Sequence, residues 1–300
     1  MPPKKSTWKI AGVIGDPIDH SLSPHFQNAL FTSCGLKVLY LPFLVKPEHL
    51  GKFLKQAKES RFLGLNITIP HKETILKYLD QIDETALKIG AVNTVVFRRG
   101  LLVGYNTDAP GYVQSLKNET GFVPKNKTVL LLGAGGAARA ILYILAQQGA
   151  YQIYLANRTV SKAVLLAKRF KRFFPKTAME PLPLTSHSLS KILPSVDLLV
   201  NATSIGMGGT QGTKIPLERL PHRSVISDLV YRPILTPLLS QAKRRGLKIH
   251  PGWGLLLSQG ALSFELWTGI VPRLDIMKKA LLDALVLRFI NSAPNLFTQD

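Results

Sequence analysis

The chain has 300 residues, enough for about two domains of ordinary size, and its 46% hydrophobic and 19% charged residues exclude a disordered chain. The single cysteine, Cys34, excludes an internal disulfide and favours a reducing compartment; without a CxxC pair or an HExxH run, we expect no metal site. The net charge of +20 suggests an acidic partner, which leaves open nucleic acid, an anionic membrane surface, or a phosphate- or carboxylate-bearing small molecule.

The first third of the chain mixes strands with helices. Apolar runs predict strands at 9–14, 38–45, 64–69, 91–97 and 101–105, and helical periodicity predicts helices at 24–33, 47–59 and 72–80. The last two strands are separated by Arg98, Arg99 and Gly100, which is typical of a hairpin turn between antiparallel strands.

From residue 127 onward the pattern becomes regular. It predicts strands at 128–132, 151–156, 197–202 and 224–229, and helices at 136–148, 160–173 and 236–245. Continuous apolar strands separated by helices indicate an α/β fold with a parallel sheet buried on both faces. The tail from Trp253 to Ile290 predicts two helices without a strand between them, which must pack on a preceding unit to bury their apolar stripes.

One apolar run, residues 128–146, has the length of a membrane span and carries a single charge, Arg139. A central arginine costs roughly 2.5 to 3.5 kcal/mol on insertion scales, and the glycines at 133–136 divide the run into a short strand and a helix. The apolar stretch at 10–15 is too short for the core of a signal peptide. We therefore expect a soluble, cytoplasmic protein without a membrane partner.

A glycine-rich loop follows the strand that ends at Leu132 and begins the next helix. It consists of Gly133, Ala134, Gly135, Gly136, Ala137 and Ala138. In this spacing Gly133 permits a tight turn, Gly135 lets the backbone approach a pyrophosphate, and Ala138 is small enough for close helix packing. The N–H groups of the helix N-terminus would then bind the phosphates. The alternative is a glycine-rich turn that only packs.

The end of the following strand indicates which dinucleotide is bound. An NAD site has Asp or Glu there for the ribose 2′-OH, whereas this chain has Asn157, Arg158 and Thr159, with Lys162 one turn later. An acid would repel a 2′-phosphate, and Arg158 and Thr159 would bind one. We therefore predict NADP as the cofactor; a solvated Arg158 without a ligand is the alternative.

A nicotinamide cofactor implies hydride transfer, which needs a protein group that exchanges a proton with the substrate oxygen. Polar clusters interrupt apolar strands outside the nucleotide unit, at 66–72 and at 91–94 followed by 104–108. Asn66 and Thr68 alternate onto one strand face, and Lys72 begins a helix, an unfavourable position for a cation. Lys72 is thus a candidate, and a plain surface lysine is the alternative.

Nine motifs in this order resemble those of the shikimate dehydrogenase family. They are Gly15-Asp16-Pro17 with His20 to Pro24, Asn66 to Lys72, Gly90 to Thr94, Gly104 to Asp108, the glycine loop, Asn157 to Thr159, Asn201 to Ser204, Tyr231 to Pro233, and Gly252 to Gln259. The resemblance implies NADP-dependent, reversible reduction of 3-dehydroshikimate to shikimate in aromatic amino-acid biosynthesis. Related enzymes also accept quinate, so a quinate/shikimate dehydrogenase with relaxed substrate or cofactor choice stays open.

The resemblance also implies roles for residues of this chain. Positions matched to binding of the substrate carboxylate are Ser21, Ser23, Thr68 and Tyr231; those matched to the ring hydroxyls are Asn66, Asn93, Asp108 and Gln259; Thr203 and Gly252 are expected to join the cofactor site. Lys72 matches the general acid/base, with Asp108 as its partner. The carboxylate of Asp108 should raise the pKa of Lys72, whereas burial should lower it, and the sequence leaves open which effect dominates.

The family fold implies a discontinuous domain arrangement. Residues 1–108 and 251–300 would form a mixed α/β substrate-binding domain to which the C-terminal helices return, and residues 109–250 a Rossmann-type NADP-binding domain. Lys162 departs from the family, since many relatives have Arg there, and this softens the expected NADP preference. Leu255 replaces a common Met, and we interpret His71 as a packing residue.

Residues 168–176 interleave five cations with three phenylalanines, a composition found in nucleic-acid-binding patches. The run ends a predicted helix, where cations favour the helix dipole and phenylalanines can face the sheet. We therefore predict a small-molecule substrate and no nucleic-acid partner, and keep a basic nucleic-acid-binding protein as the alternative from another class. We expect a monomer or homodimer, although no physical argument from the residues decides between them.

Overall fold

The computed structural model describes residues 8–209 and 215–292, which pack as two units. The first unit takes the chain up to Lys88, then Val92–Asn106 and the chain from Gly260 onward; the second takes Ile89–Ala91 and Thr107–Gln259. Residues 107–108 and 251–259 therefore group with the second unit, although the family resemblance placed them with the substrate-binding domain. The functional assignment of the two units stays a prediction.

The first unit is built on a mixed sheet. Up to Tyr105 the elements are β1 (Lys9–Gly15), α1 (Ser23–Ser33), β2 (Val38–Leu44), α2 (Leu50–Glu59), β3 (Phe62–Ile67), α3 (His71–Thr74), β4 (Gln81–Ile82), α4 (Glu84–Ile89), β5 (Thr94–Arg98) and β6 (Leu101–Tyr105). The strand order is β2-β1-β3-β5-β6-β4, in which β1 is parallel to β2 and β3, and β5 is antiparallel to β3 and β6. The predicted helix at 72–80 is α3 continued by a 3-10 turn, Ile75–Tyr78.

The predicted hairpin is confirmed as a two-residue turn between β5 and β6. Arg98 pairs with Leu101, and the two residues between them, Arg99 and Gly100, have φ angles of 51° and 76°. Two successive positive φ angles are those of a type I′ turn, whose twist matches that of the strands it joins. The turn returns β6 along β5 and fixes the register of the pair.

The second unit is built on a parallel sheet. Its elements are α5 (Asp108–Thr120), β7 (Thr128–Leu132), α6 (Gly136–Gln147), β8 (Gln152–Asn157), α7 (Val160–Lys171), β9 (Ala178–Pro183), α8 (Ser186–Ile192), β10 (Leu198–Asn201), β11 (Val225–Asp228), α9 (Pro237–Arg244), β12 (Lys248–Pro251) and the start of α10 (Gly252–Thr268). Every strand pair in the order β12-β11-β10-β7-β8-β9 is parallel. This is the strand order of Rossmann folds, in which the order reverses between β7 and β10 and ligands bind at the carboxyl ends of those strands.

Both faces of the parallel sheet are covered, as the continuous apolar strands predicted. Val129 and Leu131 of β7 join one core with residues of α5, α6 and α7, whereas Leu130 and Leu132 join a second core with residues of α8 and α9. The run at 128–146 is thus a buried strand and a helix. In the described parts of the chain, no helix is long and apolar enough to cross a membrane.

The tail helices pack on the first unit. From Gly260 onward, α10 contributes Phe264, whose ring centroid lies 5.1 Å from that of Phe31, and Trp267, whose Nε1 donates to the Val95 carbonyl at 3.0 Å. The last helix, α11 (Leu274–Ser292), packs on α1. From Gly260 onward the two strandless helices therefore pack on the first unit, as expected of helices that must bury apolar stripes on a preceding unit.

Four elements of the second unit had no predicted counterpart. Two are the edge strands of the sheet, β9 and β12, of which β9 contains Pro181 and Pro183. An edge strand pairs on one side only, so it tolerates proline and polar residues that hide its pattern. The third is α8, a short helix with serine at three of its seven positions, and the fourth is α5, whose first turn contains Pro110 and Gly111; these residue types are more typical of caps and turns.

Candidate active site

In the first unit, several predicted site residues meet at the carboxyl ends of β1 and β3. Ile14 pairs with Ile67, so the loops that follow the two strands leave the sheet side by side. The Asp16 N–H donates to the Ile69 carbonyl at 2.9 Å, and a side-chain carbon at position 15 would lie 2.5 Å from Thr68 Cγ2. The segment that carries Ser21 and Ser23 is therefore packed against the segment that carries Thr68 and Lys72.

Two hydroxyls lie at the start of α1. Ser23 is its first residue and is buried, and its N–H donates to Ser21 Oγ at 3.3 Å. The first turn of α1 contains no acidic residue. A helix N-terminus carries a partial positive charge, so two hydroxyls beside it suit a carboxylate ligand.

Asn66 is held by partners within the first unit. Its Oδ1 accepts from the Tyr40 hydroxyl at 2.7 Å, and its Nδ2 donates to Ser263 Oγ at 2.9 Å and, more weakly, to the Asn93 carbonyl at 3.3 Å. Both ends of the amide are thus engaged by protein groups and the side chain is 6% exposed. Its predicted hydrogen bonds to substrate hydroxyls stay a prediction.

Asn93 and Lys72 reach the same edge through backbone pairing. Because β5 runs antiparallel to β3, the residue before β5 lies beside the end of β3, and the Asn93 carbonyl accepts from the Ile67 N–H at 2.8 Å. The Lys72 carbonyl accepts from the Val92 N–H at 2.8 Å. The Lys72 side chain is half-buried, whereas neighbouring His71 is fully buried and donates from Nε2 to the Val45 carbonyl at 2.6 Å.

Three further predicted site residues belong to the second unit. Asp108 is the first residue of α5 and is 5% exposed, so its carboxylate lies at the positive end of the helix dipole. Tyr231 follows β11 and is half-buried, and Gln259 lies in α10. A side-chain carbon at Gly111 would lie 2.8 Å from the Gln259 nitrogen, so the glycine permits close contact between α5 and α10.

The glycine loop adopts the geometry of a phosphate cradle. Gly133 has a φ of +108°, which strongly favours glycine, and a side-chain carbon there would lie 3.0 Å from the Ala202 carbonyl. Gly135 precedes α6 with an ordinary φ of −89°, and a side-chain carbon there would meet no described atom within 4 Å. Packing against other protein atoms therefore explains why position 133 needs glycine, but it does not explain the glycine at position 135. The open space beside Gly135, in front of a helix N-terminus, fits a pyrophosphate.

The structure also gives the positions of the other glycine-loop residues and of Gly252. Ala134 and Ala138 are buried, and Gly136 and Ala137 begin α6 half-buried. Gly252 begins α10, where a side chain would overlap the Leu229 carbonyl, so close packing accounts for this glycine. Its predicted contact with the cofactor stays a prediction.

Cations lie beside the glycine loop at the end of β8. The Gly133 N–H donates to the Ala156 carbonyl at 2.9 Å, which joins the loop to the segment of Asn157, Arg158 and Thr159. Asn157 Nδ2 donates to the Thr159 carbonyl at 2.8 Å and so shapes this segment, and Arg158 is exposed. Lys162 lies exposed in the first turn of α7, which has no acidic residue. A cation at a helix N-terminus is unfavourable unless an anion binds there, so these residues fit a 2′-phosphate.

The basic and aromatic run at 168–176 buries most of its aromatic surface. Phe170 is fully buried in the core of the second unit, and the Phe174 ring packs edge-on against Tyr143 with centroids 5.3 Å apart. Phe173 is 43% exposed. Two of the three rings that would stack on bases therefore serve the core, and the cations of the last helical turn favour the α7 dipole.

Two buried polar residues, Asn201 and Asp228, were not among the predicted site residues, although Asn201 begins one of the nine motifs. They end the neighbouring strands β10 and β11, each is 1% exposed, and Asn201 Nδ2 donates to Asp228 Oδ1 at 2.8 Å. The available signal was a polar residue closing an apolar strand at the carboxyl edge of a parallel sheet. Within residues 8–209 and 215–292, no group of three His, Cys, Asp or Glu residues is placed to hold a metal ion.

Comparison with known proteins agrees with this geometry. Three family models match the chain: the shikimate dehydrogenase substrate binding domain at 13–95, shikimate/quinate 5-dehydrogenase at 116–207, and the shikimate 5′-dehydrogenase C-terminal domain at 252–282. The first covers the first unit from the middle of β1 to the start of β5, and the second includes the glycine loop of the second unit.

Individual relatives match over nearly their whole length. The curated relatives include NADP(+) shikimate dehydrogenases from Geobacter sulfurreducens, 40% identical over 95% of this chain and 99% of the relative, and from Alkaliphilus oremlandii, 43% identical over 91% and 96%. A crystal structure of shikimate 5-dehydrogenase from Thermus thermophilus, in complex with NADP(H) and shikimate, is 38% identical with a TM-score of 0.82, covering 92% of this chain and 99% of that one. The chain belongs to the shikimate dehydrogenase family.

Proposed function

We propose that the chain catalyses the reversible, NADP-dependent reduction of 3-dehydroshikimate to shikimate in the shikimate pathway of aromatic amino-acid biosynthesis. The observation that carries the proposal is the 40% identity over 95% of the chain to a relative named NADP(+) shikimate dehydrogenase. The geometry supports it independently, because the open glycine cradle and the adjacent cations are the features that a 2′-phosphorylated dinucleotide requires.

The cofactor is held by the second unit. The N–H groups at the start of α6 bind the pyrophosphate above Gly135, and Arg158, Thr159 and Lys162 bind the 2′-phosphate at the end of β8. The Thr203 hydroxyl donates to Asn201 Oδ1 and accepts from the Ile205 N–H, so Thr203 contributes its methyl group or backbone to the cofactor site.

The substrate is an anion with ring hydroxyls, and the residues suit both features. Ser21, Ser23, Thr68 and Tyr231 offer hydroxyl hydrogen bonds to the carboxylate, while amides and a carboxylate, which supply both donors and acceptors, bind the ring hydroxyls. The residues proposed for the ring hydroxyls are Asn66, Asn93, Asp108 and Gln259.

Lys72 exchanges the proton that accompanies hydride transfer. The bound dinucleotide supplies the hydride in the direction of reduction. Lys72 Nζ protonates the carbonyl oxygen as that oxygen gains charge, and it takes the proton back in the direction of oxidation. Asp108 is the proposed partner that orients the ammonium group.

The experiment is a steady-state assay of cofactor reduction with four substrate pairs: shikimate or quinate, each with NADP+ or NAD+. We expect the highest kcat/KM for shikimate with NADP+. Lys162, a lysine where many relatives have arginine, leads us to expect measurable activity with NAD+ as well.

The four substrate pairs test the proposed reaction, the choice of substrate and the choice of cofactor separately. No activity with any of the four pairs would overturn the proposed function. A higher kcat/KM with quinate would favour the quinate/shikimate alternative, and a higher kcat/KM with NAD+ would contradict the role of Arg158 and its neighbours.

A further inference from the structure

The Asn201 side chain makes three hydrogen bonds to the loop after β10. Asn201 Oδ1 accepts from the Thr203 N–H at 3.1 Å and from the Thr203 hydroxyl at 2.6 Å, and Asn201 Nδ2 donates to the Ile205 carbonyl at 3.0 Å. A fourth hydrogen bond runs from Nδ2 to Asp228 Oδ1 at 2.8 Å. An amide has two donor hydrogens and an oxygen with two lone pairs, so this one is saturated within the chain. Asn201 shapes the loop and has no capacity left for a ligand.

Asp228 anchors the Asn201 amide across the two neighbouring strands. Asp228 Oδ1 also accepts from the Val230 N–H at 3.0 Å, and Oδ2 accepts from the Thr236 hydroxyl at 2.7 Å. An ionised carboxylate only accepts hydrogen bonds, so Asn201 presents its NH₂ to Asp228, in the same orientation that the Thr203 N–H and the Ile205 carbonyl require. Burial raises the pKa of Asp228 to about 6, so the group is ionised at pH 8.

The loop held in this way borders the phosphate cradle. A side-chain carbon at Gly133 would lie 3.0 Å from the Ala202 carbonyl and 3.2 Å from Thr203 Cγ2. The contact lies at the carboxyl ends of β7 and β10, where the strand order reverses and a dinucleotide is expected to enter the sheet edge. A change in the path of residues 202–205 would therefore change the space beside the glycine loop.

We propose that Asn201 and Asp228 are positioning residues that hold the 202–205 loop in the shape required for dinucleotide binding, with Asp228 acting through its hydrogen bond to the Asn201 amide. The inference rests on the proposed function. It adds two buried residues that contact no ligand themselves but set the affinity of the cofactor site.

The test compares NADP+ affinity in folded variants, measured by calorimetric titration at pH 8, with thermal unfolding measured in parallel. In Asp228→Leu no acceptor faces Asn201 Nδ2 or the Val230 N–H, so the Asn201 amide loses its hydrogen bond across the two strands. We expect the Kd for NADP+ to rise about tenfold, which corresponds to loss of one to two hydrogen bonds. Asp228→Asn can keep its oxygen toward Asn201 and Val230 and turn its NH₂ to the Thr236 hydroxyl, so this conservative variant should keep most of the affinity.

A matched control separates positioning from general loss of stability. Thr236→Val removes the hydrogen bond to Asp228 Oδ2 and the side-chain cap of α9, to which the Leu239 N–H donates, but leaves the Asn201 amide in place. It should lower the unfolding temperature while the Kd for NADP+ stays within twofold of the wild-type value. Thr203→Val, which keeps the shape of the side chain, should weaken NADP+ binding by severalfold and serves if Asp228→Leu does not fold.

The outcomes distinguish the inference from the proposed function. An unchanged Kd in both Asp228→Leu and Thr203→Val overturns the inference, as does an Asp228→Asn variant that binds NADP+ no more tightly than Asp228→Leu. A Kd that rises in Thr236→Val as much as in Asp228→Leu also overturns it, because affinity would then follow stability alone. A wild-type protein that binds no NADP+ overturns the proposed function itself.

Discussion

Gly111 of α5 and Gln259 of α10 approach each other so closely that a side-chain carbon at position 111 would lie 2.8 Å from the Gln259 nitrogen and 3.0 Å from its Cα. Both of these atoms belong to the backbone, which cannot rotate away as a side chain can. The absence of a side chain at Gly111 therefore fixes where Gln259, a proposed substrate ligand, can lie on α10.

Gly111→Ala should disturb stability and substrate binding together. The added methyl group must displace α10 or α5, which costs about 1 to 3 kcal/mol of unfolding free energy as overpacking. We expect the KM for shikimate to rise severalfold because Gln259 moves, while the Kd for NADP+ changes little. Denaturant unfolding and steady-state kinetics measure the two effects. A variant with wild-type stability and wild-type KM would contradict the close approach of Gly111 to the Gln259 backbone.

Gly135→Ala provides the opposite case. The added methyl group meets no described atom, and the backbone φ of −89° suits alanine, so the unfolding free energy should fall by no more than about 1 kcal/mol, the cost of alanine at a helix N-cap. The methyl group would occupy space proposed for the pyrophosphate, so the Kd for NADP+ should rise at least tenfold. Titration of the folded variant with NADP+ measures this Kd, and an unchanged value would contradict a pyrophosphate site beside Gly135.

Arg158→Ala should change the choice of cofactor. A charge-assisted hydrogen bond contributes about 1.5 to 3 kcal/mol, so loss of one to the 2′-phosphate should raise the KM for NADP+ by roughly 10- to 100-fold. The KM for NAD+, which has no such phosphate, should stay nearly constant. Arg172→Ala, at an exposed cation beyond the other end of α7, is the matched control and should alter neither value. Equal effects on both cofactors in Arg158→Ala would exclude the 2′-phosphate contact.

His250 should make stability depend on pH. It is 1% exposed between Ser115 Oγ, 2.6 Å from Nε2, and Ser227 Oγ, 2.9 Å from Nδ1, and burial lowers its pKa to about 4 from an ordinary 6.5. The neutral ring is thus favoured in the folded state, so Glu119, 4.0 Å away, forms no ion pair with it at neutral pH.

The sign of this dependence follows from the depressed pKa. The contribution of His250 to stability is fully present above pH 6.5, and it is lost as the pH falls through about 4, because the unfolded chain binds the proton first. Relative to His250→Gln, the wild-type protein should lose up to about 3 kcal/mol of unfolding free energy across this range. Urea unfolding at several pH values measures the difference. If the unfolding free energies of the two proteins changed in parallel with pH, folding would not lower the pKa of His250.

The features predicted to bind the nucleotide are local in sequence. Gly133, Gly135 and Arg158 lie within 26 consecutive residues, on elements whose apolar strands and helical periodicity are clear. The hairpin at Arg99 and Gly100 was equally local. Each of these features depends on backbone geometry that neighbouring residues determine.

Other features depend on partners distant in sequence. Asn66 is predicted to bind a substrate hydroxyl, and its amide is also held by Tyr40 and by Ser263, which lies 197 positions away. Asp228 contacts Asn201 only because β11 pairs with β10 in parallel register. No local pattern contains such pairings, so polar residues that serve ligands and those that position other residues look alike in sequence.

The most direct test of the account is the turnover and NADP+ affinity of Lys72→Ala, with Lys77→Ala, at an exposed lysine in the next turn, as its control. Loss of a general acid/base should lower kcat for shikimate oxidation by about 10²- to 10⁴-fold. The Kd for NADP+ should stay unchanged, because the cofactor residues lie in the other unit, and Lys77→Ala should behave as the wild type. Near-normal turnover in Lys72→Ala would contradict the assignment of Lys72 as the residue that exchanges the proton with the substrate.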